Sequence, residues 1–114
     1  MTRMAVYRIT CRACANAGIQ ATYIGQTRRP IRVRFNEHLG DARLRKMDTG
    51  LGEHTLAHHT DMPNSDINKN FSIEIITTKD HEAELRISES VLIRDHNPTM
   101  NTKSRSWSLT KCVI

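Results

Sequence analysis

Cysteine is scarce in this chain and its number is odd: three in 114 residues. Three cysteines allow one bridge at most, so a disulfide framework is excluded and a reducing compartment is expected. Cys112 stands third from the end, not fourth, so no prenylation box is expected. Long apolar runs are also missing. None approaches the roughly 20 residues of a membrane span, and none resembles a secretory signal. A membrane partner is therefore not expected. Internal repeats and low-complexity tracts are absent as well. What remains is one soluble domain with a single modest core.

Positive charge is what the chain has in excess. Its formal net charge is +5, a balance that favours a polyanionic partner. The distribution sharpens the point. Arg28, Arg29, Arg32, Arg34, Arg43, Arg45 and Lys46 all fall within residues 28–46. A basic run of this kind suits a nucleic-acid backbone, whose phosphates supply affinity but little sequence information.

The two tyrosines lie in β-type segments. Residues 4–10, with Val6, Tyr7 and Ile9, read as a strand, and residues 21–25 as a second, paired antiparallel to the first through a short connection. Residues 11–18 are small and polar and read as a loop or hairpin tip. Beyond Gly25, Thr27 can cap a helix and Pro30 suits its first turn. Ile31, Phe35, Leu39 and Ala42 then recur at helical spacing, with Arg34 and His38 together on an adjacent face. Residues 47–52 read as loop, 54–59 as a short helix and 61–70 as loop. Residues 71–78 alternate as a third strand. A helix over 80–95, with Asp80 as its cap, ends before Pro98.

Two constellations carry chemistry. Glu89 falls between Leu85 and Leu92 on one side and Ile93 on the other, on the apolar side of its helix. A carboxylate there is costly unless it is paired, with Arg86 or Arg94 at hand, or bound to metal. The second is Cys11-x-x-Cys14 with His54, His58 and His59 downstream, a zinc-type signal. His54 and His58 are four apart and share a helix face; His59 follows directly; the pairing is left open by spacing. No thioredoxin-like strand–helix context surrounds the cysteines, which argues against a redox pair. A structural zinc would hold a long hairpin in a small domain.

In order, these features resemble the GIY-YIG endonuclease domain over roughly residues 4–101. Ala5-Val6-Tyr7 matches the first signature, with alanine for the usual glycine, and Tyr23-Ile24-Gly25 matches the second. Gln26-Thr27 and Arg34-Phe35-Asn36-Glu37-His38 resemble the family's helix, Ser88 through Ile93 its glutamate segment, and Pro98 with Asn101 its closing segment. Within the family, the cysteine pair and Leu56-Ala57-His58-His59 resemble the endonuclease module of Penelope-like retroelements. That pattern favours His59, and its usual second histidine, further on, is missing; only Asp66 is offered there.

The resemblance implies an α/β (α+β) fold: a small mixed sheet of about three strands flanked by helices, with a structural zinc site. It implies that Tyr7, Tyr23, Arg34, His38 and Glu89 form a catalytic site. Glu89 would hold Mg²⁺ or Mn²⁺ and Arg34 the scissile phosphate. Tyr7 would deprotonate or orient the attacking water, while Tyr23 and His38 position water and phosphate. Gly25 and Asn101 would be structural, and Arg28, Arg29, Arg32 and Lys46 would contact DNA. Zinc would sit on Cys11, Cys14, His54 and His59, with His58 as the alternative. The expected protein is an intracellular, nuclear DNA-nicking enzyme (residues 1–101, then a basic tail over 102–114), the target-cleaving module of a retroelement with a reverse transcriptase domain as partner in cis or in trans. The alternative is a catalytically inactive, zinc-stabilised nucleic-acid-binding module.

Overall fold

Side chains alternate along the first strand, and the alternation sets the layers of the molecule. The computed structural model describes residues 4–101; the tail expected over 102–114 lies outside the described residues. Strand β1 (Met4–Cys11) turns Tyr7, Ile9 and Cys11 to one face and Val6 to the other. Strand β2 (Thr22–Thr27) does the same with Tyr23 and Ile24, and β3 (Phe71–Lys79) completes the sheet.

The strand order is β2-β1-β3, so β1 is central. Both of its pairings are antiparallel. The expected mixed sheet is therefore corrected to a wholly antiparallel one. β2 returns along β1 by a hairpin, and the helices between β2 and β3 deliver β3 to the opposite edge in the same sense as β2. The β1–β3 register slips between Val6 and Tyr7: Val6 faces Thr77 while Tyr7 faces Ile75, leaving Ile76 bulged. The irregularity thus adjoins Tyr7, where a bulge re-aims neighbouring side chains.

Helices cover both faces. On one lie α1 (Arg12–Asn16), α2 (Ile31–Leu44), α3 (Gly50–His58) and α4 (Asn64–Asn70), which bury Leu39, Ala42, Leu51 and Ile67 against Tyr7, Ile9 and Tyr23. On the other, α5 (Glu82–His96) packs Leu85, Leu92 and Ile93 against Val6 and Ile24. Each fully buried Val, Ile or Leu side chain contributes about 1.5–3 kcal/mol relative to exposure.

Several local expectations change. Residues 11–18 are not simply a loop, because α1 folds them into a helical turn that brings Cys14 back beside Cys11. Residues 61–70 are not loop throughout: after Pro63, α4 forms despite poor helix formers, and its Ile67 is fully enclosed. The helix α3 already begins at Gly50, capped by Thr49, whose hydroxyl accepts from Gly52 N at 3.2 Å. Pro30, not Thr27, occupies the N-cap of α2, and His81, not Asp80, that of α5.

Candidate functional site

Three elements deliver one polar cluster into the interior: Tyr7 comes from β1, Tyr23 from β2, and Arg34 and His38 from α2. Glu89 belongs to α5, and its charge acts on Tyr7. Tyr7 is fully enclosed; Tyr23, His38 and Glu89 are buried. Arg34, with 30% of its side chain exposed, is the member that meets solvent. The rings of Tyr23 and His38 lie 4.9 Å apart, and those of Tyr7 and Tyr23 6.4 Å apart.

The Tyr7 hydroxyl and His38 Nε2 are 2.7 Å apart, a short hydrogen bond. Burial, reinforced by the Arg34 charge, pushes His38 down to about 4 against a small opposing effect of Glu37. The imidazole is therefore neutral at pH 7. Burial likewise raises Tyr7, with Tyr23 and Glu89 adding to the effect and Arg34 opposing it. Tyr7 is consequently a phenol at neutral pH, not a standing phenolate. Burial works against the Arg34 cation, but Tyr7, Glu37 and Tyr23 more than offset it and hold the guanidinium charged.

Gly25 is what lets the two tyrosines approach. A Cβ there would lie 2.5 Å from Tyr7 Oη, 2.7 Å from its Cζ and 2.8 Å from Tyr23 Cε1. Across the strand, Asn101 closes the β2 edge: its Oδ1 accepts from Ile24 N at 3.0 Å and its Nδ2 donates to Ile24 O at 2.9 Å. Beside the cluster opens a cavity of about 170 Å³, lined by Tyr23, Arg34 and His38 and by Asp41, Asp48, Thr49 and Gly50. The last four were not singled out from sequence. Gly50 has a structural reason: a Cβ would strike Met100 O and meet the Tyr23 ring at 2.8 Å.

A second cluster joins β1, α1 and α3. The ligand atoms of Cys11, Cys14, His54 and His59 all lie within 4.8 Å of one another. Zinc–sulfur and zinc–nitrogen bonds of about 2.3 and 2.0 Å require sulfur–nitrogen edges of about 3.5 Å in a tetrahedron. His59 Nε2 lies 3.3 Å from Cys11 Sγ and 3.6 Å from Cys14 Sγ, and His54 Nε2 lies 3.5 Å from Cys14 Sγ. The four side chains thus fit a zinc ion in both chemistry and spacing. The exposed His58 stays outside the set, its ring 5.1 Å from that of His54. Burial, then Cys11, pushes the Cys14 thiol up to about 11, and burial, then His59 and His58, pushes His54 down to about 4. A bound cation would stabilise the thiolates. Sequence reading missed Asn70, which donates to Cys11 Sγ at 3.3 Å and accepts from Ala13 N at 2.9 Å. Nothing in its flanks marks such a supporting role.

The remaining basic candidates lie outside both clusters. Arg28 pairs with Glu82 at 2.7 Å, Arg29 with Glu37 at 2.6 Å and Lys46 with Asp41 at 3.7 Å. Arg32 is exposed and makes no ion pair among the described residues. Arg86 pairs with Glu82, and Arg94 pairs with Asp95.

No protein-family model matches this chain, no curated protein matches it, and no solved structure matches it. What the fold and clusters define is a small α/β domain, a three-stranded antiparallel sheet flanked by helices, whose Cys/His cluster can hold a metal ion such as zinc.

Proposed function

We propose that this protein is a metal-dependent endonuclease of GIY-YIG architecture that nicks DNA by phosphodiester hydrolysis, and that it is the target-cleaving module of a Penelope-like retroelement working with a reverse transcriptase domain. One observation carries the reading: Tyr7, Tyr23, Arg34 and His38, from three elements, meet in one cluster, and the charge of the buried Glu89 from a fourth acts on Tyr7. Packing alone gives no reason to bring a guanidinium and an imidazole onto two tyrosines inside so small a domain.

The chemistry follows from the protonation states. Arg34 offers its fork to two oxygens of the scissile phosphate. Tyr7 takes the proton of the attacking water at its hydroxyl oxygen while passing its own proton to His38 Nε2, which is 2.7 Å away. The neutral His38 is the stronger base of the two, so the enclosed phenol need never ionise alone. Tyr23 orients the water or the phosphate. The Glu89 carboxylate is a hard oxygen donor suited to Mg²⁺ or Mn²⁺; such a cation supplies charge neutralisation at the phosphate and at the leaving oxygen. Cys11, Cys14, His54 and His59 would hold zinc as a structural ion.

The complete enclosure of Tyr7 favours a second reading, an inactive zinc-stabilised nucleic-acid-binding module. Cleavage of supercoiled plasmid with Mg²⁺ or Mn²⁺ at low salt separates the two. Nicked circles from the wild type, lost in Glu89→Ala and Arg34→Ala and with chelator, are expected of the nuclease. DNA binding by all three proteins with cleavage by none would establish the binding module instead.

A further inference from the structure

A chain of polar contacts runs into the site from the N-terminal end of α2. Thr27 Oγ1 accepts from Arg29 N at 3.0 Å and donates to Arg29 O at 3.3 Å, fixing the Arg29 backbone as it leaves β2. The Arg29 fork grips both oxygens of Glu37, at 2.8 and 2.6 Å. Glu37 Oε1 also accepts from Arg34 Nη1 at 2.9 Å. Hydrogen bonds from Arg29, then Arg34, draw the Glu37 carboxyl down to about 2, so the link stays charged at any working pH. Arg34 in turn lies against Tyr7.

Folding stability is a weak reason for such a chain. The side chains of Arg29 and Glu37 are 54% and 40% exposed, and exposed ion pairs contribute little. Orientation is the stronger reason. An arginine held in place before substrate arrives need not lose its rotamer freedom during the reaction. We propose that Glu37, braced by Arg29, is a positioning residue that holds the Arg34 guanidinium ready for the scissile phosphate, and that Arg29 acts through Glu37 and not on DNA. The inference rests on the nuclease reading. It reassigns Arg29, expected from sequence among the DNA contacts, because both of its terminal nitrogens already serve Glu37.

The test is nicking kinetics and salt-dependent DNA binding for the wild type, Arg29→Ala, Glu37→Ala, Glu37→Gln and the Arg29→Ala/Glu37→Ala double variant. Each alanine variant is expected to lose roughly tenfold in kcat with KM little changed. The double variant should be no slower than Glu37→Ala, since both residues act on one guanidinium. Glu37→Gln, which keeps an acceptor oxygen, should recover part of the loss. The salt slope of DNA binding should be the same for Arg29→Ala and the wild type. An Arg29→Ala slope reduced by about one phosphate contact at unchanged kcat would overturn the proposal, as would full kcat in Glu37→Ala. If the wild type cuts no DNA, the nuclease reading fails but the clamp is still decided by ¹⁵N NMR of the Arg34 guanidinium, whose Nη1 bonds Glu37. Loss of restricted Nη rotation in both alanine variants supports the clamp, and its persistence overturns it.

Discussion

At the residue scale, His38 and Gly25 show how burial converts ordinary residues into special ones. His38 resists protonation because the interior solvates a cation poorly and Arg34 already supplies one. Its folded value of about 4 lies below the ordinary 6.5. As pH falls, the unfolded chain therefore takes up this proton first. The stability contributed is fully present above about pH 6.5 and is lost as pH falls towards 4, a total of about 3 kcal/mol. The thermal midpoint of the wild type should fall more steeply over that window than that of His38→Gln; His54 contributes to both and cancels in the difference. Equal slopes would show that another group governs the acid response. At Gly25 the constraint is space. Gly25→Ala places a Cβ within 2.5 Å of the Tyr7 hydroxyl, so the variant is expected to lose about 1–3 kcal/mol and to displace Tyr7 from His38. Denaturant unfolding checks the first expectation. On the nuclease reading proposed above, plasmid nicking should fall at least tenfold, which checks the second.

At the element scale, α3 has two ends with two jobs. Thr49 and Gly50 at its start line the cavity beside Tyr23 and Arg34, while His54 and the following His59 reach Cys11 and Cys14. An ion on those four side chains would fasten this helix to β1 and α1. If it does, zinc at a thousandfold excess over Kd stabilises the fold by about 4 kcal/mol. The midpoint should then drop by about 10–30 °C on chelation in a domain of this size. Cys14→Ala should reproduce the drop and abolish the response to chelator. A midpoint indifferent to chelator would leave the cluster as four neighbouring side chains without a structural ion. Arg45 anchors the neighbouring elements. It ends α2 with φ of 53°, a left-handed conformation rare for a long side chain. Its guanidinium donates to Arg43 O, Asn64 Oδ1 and Met62 O, tying the end of α2 to the start of α4.

At the scale of the whole molecule, the two helical layers depend on β1, whose alternate residues serve opposite faces. That dependence explains which features were legible in the sequence. The three strands, the apolar stripe of α2 and the inward face of Glu89 follow from periodicity, a property of neighbours along the chain. The Cys-x-x-Cys pair is local in the same way. Helix α1 escaped because five residues are too few to show a period, and α4 because its residues are poor helix formers; Cys14 and Ile67, packing into the interior, hold them in shape. The sense of β3 and the diversion of Arg29 onto Glu37 escaped for a related reason: each depends on partners from other elements. By itself, then, the sequence determined the kinds of element and the residue types available for chemistry, because backbone period and side-chain polarity are local. The tertiary structure alone decided which of those residues meet, at what distance and in which charge state. Burial and Coulomb interactions depend on separation in space, and the chain's order does not specify that separation.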